Sequence, residues 1–495
     1  MIQQQSVKEK YIIFSLLLFT FISSFFGTMS SPFYPMNYWV DPNAYYTMAK
    51  SWLNGYIPYK DLFDHKGPFL YIIYAIGCLI TDTSFTGIYI IQSIALFIIL
   101  LYTYKISQLF LPKSYSYISS LLCSILFFSN NHFGGSAEEF IVPLQAISSY
   151  LFLKHFLNKK SSNTLRYSYI HGILIGITVL IKFNLIIFWF FPLCAIIIEY
   201  LISKELKKTF LYITYVIGGI LSILIPLMIY YYCNNALSEL FDCYLTFNSL
   251  YASLDFSFDN LFGRYIYIIR NRPLLLIFLF LGNIYICFFT SKLKSWVHKI
   301  SIILSSYVTL LLMMAGYFGF YNLLSIYIIS TLGVVFILQL LHKKINVSQS
   351  LFIYISSFIT IIGLNIIVKY KMIQEANDSS YLQEFSDIIL NSNNSSFMNI
   401  GLDGGFYLTT NSLPNFYYYY NPNISYDKYP LIIDSQRKFI NENKPTFLII
   451  QYGFEGAYYS FFSEYIKNDY SLVKEGYSFE TKGYKFLLFK RNSEN

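Results

Sequence analysis

The sequence predicts a polytopic all-α membrane domain of about 11–12 helices, residues 1–371, followed by a small α/β domain, residues 372–495. Three observations predict it. Of 495 residues, 55% are hydrophobic and only 13% are charged, about half the charged share of an average soluble domain. Apolar stretches of about 20 residues recur along the first three quarters of the chain. Charge then divides it: residues 1–371 hold 25 Lys+Arg against 13 Asp+Glu, whereas 372–495 hold 10 against 14. The basic residues sit in connectors between apolar segments, as the positive-inside rule requires, so the net +8 does not mark a nucleic-acid binder. The 49 Tyr and 48 Phe accompany an excess of Ile, Asn and Lys consistent with coding bias, so aromatic abundance is not read as ligand binding.

Spanning segments are predicted at 11–30, 86–104, 115–131, 139–157, 168–182, 184–203, 209–231, 273–290, 299–316, 321–341 and 350–368. The first is long for a signal-peptide core and lacks a small-residue cleavage site before Tyr34, so it reads as a retained helix. A further apolar segment, 67–81, is only about 15 residues long. The connectors carrying Lys8 and Lys10, Lys105 and Lys113, Lys154, Lys159, Lys160 and Arg166, Lys204, Lys207 and Lys208, Lys292, Lys294 and Lys299, and Lys343 and Lys344 share one face if eleven helices cross and 67–81 only dips or lies in the interface. With the N-terminus cytoplasmic, the stretch 31–85, which includes the first outer loop 31–66, the turns 132–138, 183–184 and 316–320, the segment 232–272 and the tail after 370 face outward.

In the tail, apolar runs at 397–400, 446–451 and 484–489 suit strands, and 380–391, 433–443 and 459–468 suit amphipathic helices. Gly401-Leu402-Asp403-Gly404-Gly405 lacks the spacing of a dinucleotide fingerprint and reads as a strand-to-turn connection. The four tyrosines at 417–420 read as an aromatic surface or interface patch. Cys78, Cys123, Cys194, Cys233, Cys243 and Cys287 have no metal-ligand spacing and form no disulfide framework; only Cys233 and Cys243 are candidates to pair.

Chemistry concentrates in the first loop. Asp41-Pro42 opens an amphipathic helix from about 42 to 54, with Asp41 as N-cap and with Ala44, Met48 and Trp52 on one face, expected to lie along the membrane surface. Gly55-Tyr56-Ile57-Pro58-Tyr59-Lys60-Asp61 follows, then Asp64-His65-Lys66-Gly67-Pro68 enters an apolar helix. The first loop holds more acidic and basic side chains than a mere connector needs.

This order resembles the GT-C class of bacterial membrane glycosyltransferases, nearest to the protein O-mannosyltransferase-like and aminoarabinose-transferase-like families. The resemblance covers the whole architecture, and its sharp motifs fall within about the first 190 residues. It implies a polyprenyl-phosphate-linked sugar as donor, a catalytic Asp in the first outer loop and an extracytoplasmic C-terminal domain. Carried over residue by residue, Asp41 matches the catalytic acid, and Asp64, Lys66 and Pro68 match the segment shaping the donor site. The second acidic position falls on Glu138 or Glu139, and Gly172, Gly176 and Lys182 match the helix that brings a lysine to the lipid phosphate. A helix-start role for the Glu pair and interfacial snorkelling of Lys182 stand beside these readings. The chain departs from the pattern where Pro42 replaces a second acidic residue, and where Gly316-Tyr317-Phe318-Gly319-Phe320-Tyr321 keeps only the Tyr of a late motif.

The implied mechanism is single-step inversion, with Asp41 as base and Lys66, Lys182, Arg264, Arg270 and Arg272 as outer-side cations for the departing phosphate. Asp61, His65, Glu139 and Tyr321 complete the candidate substrate-binding set. No cofactor is certain; a divalent cation could couple Asp41 and Glu138, and metal dependence stays open. The expected partners are the lipid-linked donor, membrane lipid and an extracytoplasmic acceptor, which could be a cell-surface glycan, a glycolipid or a protein. The expected location is the plasma membrane. A multispanning transporter or flippase is the alternative, but it predicts paired halves and charges near the bilayer midplane. A surface-polysaccharide polymerase or ligase usually lacks such a tail, and a receptor leaves Asp61, Asp64, His65 and Lys66 without a reason to cluster.

Overall fold

The structure, a computed structural model, describes residues 9–132, 134–157, 164–252, 254–345, 351–375, 381–392, 394–453, 457–477 and 485–492. Lys8, Phe133, Lys159, Lys160 and Tyr484 lie outside the described residues, as do the first residues of the segments expected at 350–368 and 380–391. The chain divides into two compact units: Met1–Thr28, Ile90–Tyr230 and Ser253–Tyr370 form one, and Met29–Tyr89, Tyr231–Ala252 and Lys371–Asn495 form the other.

Every predicted spanning segment is helical. Among the described residues, eight helical stretches are long and apolar enough to cross a membrane, or nine if one bent pair counts as a single span. Three differences separate this count from eleven. The segment expected at 115–131 forms Lys113–Phe128, a 16-residue helix interrupted by serines and ended before Ser129, Asn130 and Asn131. The two segments from 168 to 203 join as one run, Thr164–Ile202, carrying a 3-10 turn at Phe183–Ile186. The segment expected at 273–290 is half of a pair, Phe258–Asn271 and Pro273–Phe289, bent by 105° where Pro273 starts a new helix. Pro68–Ile80 has 13 residues and measures about 20 Å, short of the ~30 Å hydrocarbon thickness.

Close backbone approach holds the first unit together. A Cβ on Gly172 would lie 2.1 Å from the Val216 carbonyl oxygen, and one on Gly176 would lie 3.0 Å from Ile223 Cβ. The two glycines therefore seat Thr164–Lys182 against Leu206–Cys233, the small-residue packing that substitutes for a hydrophobic drive inside lipid.

The second unit is built on a four-stranded sheet: β1 (Phe397–Ile400), β2 (Phe447–Tyr452), β3 (Tyr470–Tyr477) and β4 (Lys485–Arg491), in the order β1-β2-β4-β3. β1 and β2 run parallel with Phe397 opposite Phe447, and the other pairings are antiparallel. One face, with Met398, Ile400, Leu448, Ile450, Leu487 and Phe489, packs on Ile433 and Ile440 of Leu431–Asn443 and on Phe462 and Ile466 of Ala457–Asp469. On the other face Phe486 stacks on Tyr381 and meets Phe406, and Phe397 meets Tyr407. Coverage on both faces explains why β1 and β2 read as unbroken apolar runs. β3 was not expected from the sequence: five consecutive residues are exposed, and a bulge lies between Leu472 and Lys474.

The helix of the first loop spans Val40–Leu53 with Trp39, not Asp41, at the N-cap. Its ten residues from Pro42 to Ser51 are buried, which overturns the membrane-surface placement. Tyr419 donates its hydroxyl to the Ala44 carbonyl (2.9 Å), and Thr47 donates to Asp403 Oδ2 (2.8 Å). The helix Pro68–Ile80 and the turn after it, through Tyr74, Thr81 and Phe85, cover this helix together with the tail.

Candidate functional site

The sequence-predicted residues fall into two groups, one in each unit. In the unit that contains the sheet, Asp41 lies in the first turn of Val40–Leu53, half-buried, with the Tyr45 hydroxyl 3.3 Å from its Oδ2. Beyond the helix the chain tightens: Tyr59 takes φ +70°, a left-handed conformation costly for a bulky residue, and is fully buried. Three hydrogen bonds hold it there. Its N–H donates to the Leu62 carbonyl (2.9 Å), its hydroxyl to the Lys66 carbonyl (2.5 Å), and its own carbonyl accepts from the Tyr417 hydroxyl (2.9 Å). Asp61 is exposed and accepts from the Ile57 N–H (2.6 Å), so its carboxylate closes this turn.

The turn delivers Asp64-His65-Lys66. Asp64 is 0% exposed, and its Oδ1 accepts from the His65 N–H (2.5 Å) and from the Tyr420 hydroxyl (2.6 Å). His65 Nδ1 lies 3.4 Å from the same oxygen, and Nε2 lies 3.1 Å from Lys66 Nζ. An ammonium has only donors, so Nε2 accepts and the ring proton resides on Nδ1, facing Asp64. Tyr251 and Phe247 flank the imidazole at 4.7 and 5.4 Å, and Asn248 Nδ2 donates to the His65 carbonyl (2.6 Å). Burial pushes the Asp64 carboxyl up, but the hydrogen bonds of His65 and Tyr420 and the Lys66 charge outweigh it and hold the group below its ordinary value. Burial, reinforced by Lys66, lowers His65, so the imidazole stays neutral.

Tyr417 to Tyr420 are the residues that sequence reasoning under-read. Tyr418, Tyr419 and Tyr420 are buried, and three of the four hydroxyls brace the first loop: Tyr417 to the Tyr59 carbonyl, Tyr419 to the Ala44 carbonyl, and Tyr420 to Asp64. Asp403 is likewise fully buried, with Oδ1 accepting from the Gly405 N–H (2.9 Å) and Oδ2 from Thr47. Gly405, at φ +97°, starts the short helix Phe406–Thr409, so the glycine-rich run is a strand-to-turn connection as the sequence indicates. All six cysteines are free; Cys243 is buried beside the Tyr417 hydroxyl, and Cys233 is exposed.

In the other unit the Glu pair separates into two roles. Glu139 N–H donates to Ser136 Oγ (3.2 Å), while Glu139 Oε1 accepts from the Gly135 N–H (3.1 Å) and Oε2 from Gln92 Nε2 (3.1 Å). This is a capping-box arrangement displaced by one residue at the start of Ala137–Leu157. Glu138, 1% exposed, instead accepts from Lys182 Nζ at 2.5 Å. Lys182 also reaches Asn322 Oδ1 (3.3 Å), a buried residue that no sequence signal singled out. Asn322 belongs to the 3-10 segment Phe320–Ile326, beside Tyr321, whose ring lies 6.5 Å from His132. Of the arginines, Arg264 donates to the Gly316 carbonyl, Arg272 lies 5.4 Å over the Phe320 ring, and Arg270 is exposed. Among the described residues no group of three His, Cys, Asp or Glu is arranged to hold a metal ion.

Comparison with known proteins adds the frame for these groups. A family model described as dolichyl-phosphate-mannose-protein mannosyltransferase matches residues 65–230, which include Lys66, Glu138, Glu139 and Lys182. The crystal structure of ArnT from Cupriavidus metallidurans bound to undecaprenyl phosphate is similar at 9% identity and a TM-score of 0.62, covering 97% of each chain. The same protein in its apo state gives 0.63. The archaeal oligosaccharyltransferase AglB from Archaeoglobus fulgidus, in complex with an inhibitory peptide and a dolichol-phosphate, gives 0.53 at 12% identity, over 96% of this chain and 74% of that one. No curated protein matches the chain significantly. The resemblance to the GT-C class thus returns in the family model and in the fold, and the chain is a multi-pass membrane protein of that architecture.

Proposed function

We propose that this GT-C-fold chain is an inverting glycosyltransferase that moves one sugar from a polyprenyl-phosphate carrier to an acceptor at the outer face of the plasma membrane, with the tail on that face. One observation carries the reading: within the stretch matched by the mannosyltransferase model, two lysines have their ammonium groups held ready by buried partners. Lys66 is held by His65 Nε2 and Lys182 by Glu138. Ammonium groups fixed in this way suit a phosphate whose charge grows as it leaves. The bound undecaprenyl phosphate and dolichol-phosphate of two proteins sharing the fold support the donor class.

In the proposed step Asp41 takes the proton of the acceptor hydroxyl, and the acceptor oxygen bonds to the anomeric carbon. The bond from that carbon to the phosphate oxygen breaks, and the phosphate departs with the electron pair to one or two cations drawn from Lys66, Lys182, Arg264, Arg270 and Arg272. Glu138 keeps Lys182 in place, and Asp61 and Glu139 shape the backbone that presents the donor site. The test is transfer of labelled sugar from a panel of polyprenyl-phosphate donors in membranes, comparing the parent with Asp41→Asn at matched protein level. A loss of about 10²–10⁴-fold is expected. Undiminished transfer would remove Asp41 from the chemistry, and no transfer by the parent with any donor would turn attention to transport.

A further inference from the structure

We infer that Tyr420 of the tail is a positioning residue for the donor lysine, acting through Asp64 and His65. The inference rests on the reading of Lys66 as a ligand of the donor phosphate. The chain of contacts is continuous and lies inside one unit: Tyr420 donates to Asp64 Oδ1 (2.6 Å), His65 Nδ1 faces that oxygen (3.4 Å), and Lys66 Nζ meets His65 Nε2 (3.1 Å). Direction matters at each link. A carboxylate only accepts and an ammonium only donates, so the imidazole between them has one allowed tautomer, and that tautomer gives the ammonium a fixed partner. The Tyr420 hydroxyl, 356 residues from Asp64 in sequence, also lies 3.4 Å from His65 Nδ1, so it braces both members that stand before Lys66.

The Asp64 carboxylate needs this donor. It is fully buried, and among the described residues its Oδ2 has no hydrogen-bond partner, so the hydrogen bonds to the carboxylate all fall on Oδ1. Around it, Tyr59, Tyr71, Tyr419 and Cys243 lie within reach of its field, and Asp41 acts on His65. None of these brings a positive charge; among the described residues Lys66 brings it. Without the Tyr420 hydroxyl the carboxyl takes up a proton at a higher pH. A protonated Asp64 attracts the Nδ1–H less, so the tautomer that gives Lys66 its acceptor is less favoured.

The test uses the full chain in membranes and the isosteric variant Tyr420→Phe, with Lys66→Ala beside it. For Tyr420→Phe the expected result is a KM for the polyprenyl-phosphate donor raised about tenfold with kcat little changed, equivalent to about 1.4 kcal/mol of donor binding. The acid limb of kcat/KM should also move to higher pH. A merely structural tyrosine would lower the amount of folded protein without moving that limb. As a second readout, ¹⁵N-histidine NMR of the protein in lipid nanodiscs, with the His65 signal identified by its loss in His65→Gln, should report the Nδ1–H tautomer in the parent and a mixture in Tyr420→Phe. If Lys66→Ala raises the donor KM while Tyr420→Phe leaves KM, the acid limb and the tautomer unchanged, the relay is wrong. If Lys66→Ala leaves the donor KM unchanged, the reading of Lys66 fails first and the relay falls with it.

Discussion

Asp403 illustrates how much a single buried carboxyl can govern. Burial pushes its pKa up to about 6 from the ordinary 3.8, against the hydrogen bonds of the Gly405 N–H and the Thr47 hydroxyl. The folded chain therefore holds a proton between about pH 4 and 6 that the unfolded chain releases. Its contribution to stability is present below about pH 4 and is lost as pH rises toward 6 and beyond, by about 3 kcal/mol at most. Asp403→Asn keeps an acceptor for Gly405 and offers an amide donor to the Thr47 oxygen, with nothing to titrate. Thermal unfolding of parent and variant across pH 4 to 7 should show the parent losing ground steadily; a constant gap between the two would contradict the assignment. At this scale the Asp64-His65-Lys66 run was legible, because its three residues are neighbours in the chain. Tyr420 was not, since a tyrosine among four carries no mark of the carboxylate it meets. Nor could the sequence separate Glu138 from Glu139: adjacent residues point different ways, and only the fold gives one to Lys182 and the other to the helix cap.

Among the elements, helix packing gives the most direct prediction. Gly172→Val should force apart Thr164–Lys182 and Leu206–Cys233, because the Val216 carbonyl occupies the place a side chain would take. A cost of about 1–3 kcal/mol is expected in detergent melting. Gly263→Ala, where a Cβ meets nothing within 4 Å, should instead be neutral or stabilise by up to about 1 kcal/mol. Equal effects at the two positions would refute the packing argument. The spanning helices and the strands β1, β2 and β4 announce themselves by apolar runs of the right length, because burial on all sides leaves no room for polar residues. β3 is hidden for the opposite reason: five of its residues in a row are exposed, and its sequence resembles a loop. The helix Val40–Leu53 was legible as a helix, but the tail side chains that join Pro68–Ile80 in burying it come from more than 300 residues away.

For the whole molecule, the number of crossings decides which face carries the tail. Among the described residues the parity of the crossings turns on the bent pair Phe258–Asn271 and Pro273–Phe289 and on the 39-residue run Thr164–Ile202, which is about twice as long as one crossing needs. The proposed function requires the outer face for the tail. A membrane-impermeant thiol reagent should label a cysteine placed at Ser471 in intact cells but not one placed at Lys344, in a background lacking the exposed Cys233. Labelling at Lys344 without labelling at Ser471 would reverse the orientation. The grouping of Met29–Tyr89 and Tyr231–Ala252 with the tail was not legible, because no local pattern encodes partners so distant in sequence.

The shape of β3 has a further consequence for a protein confined to two dimensions. Molecules sharing a membrane meet repeatedly in the same orientation, and a flat strand with free N–H and C=O groups would invite its counterpart to pair with it. The bulge between Leu472 and Lys474 breaks that row. Lys474 pairs with Glu384 (2.8 Å) and Glu475 with Lys485 (2.8 Å), setting charged side chains along the same stretch. This edge is thereby unsuited to strand exchange between neighbouring copies.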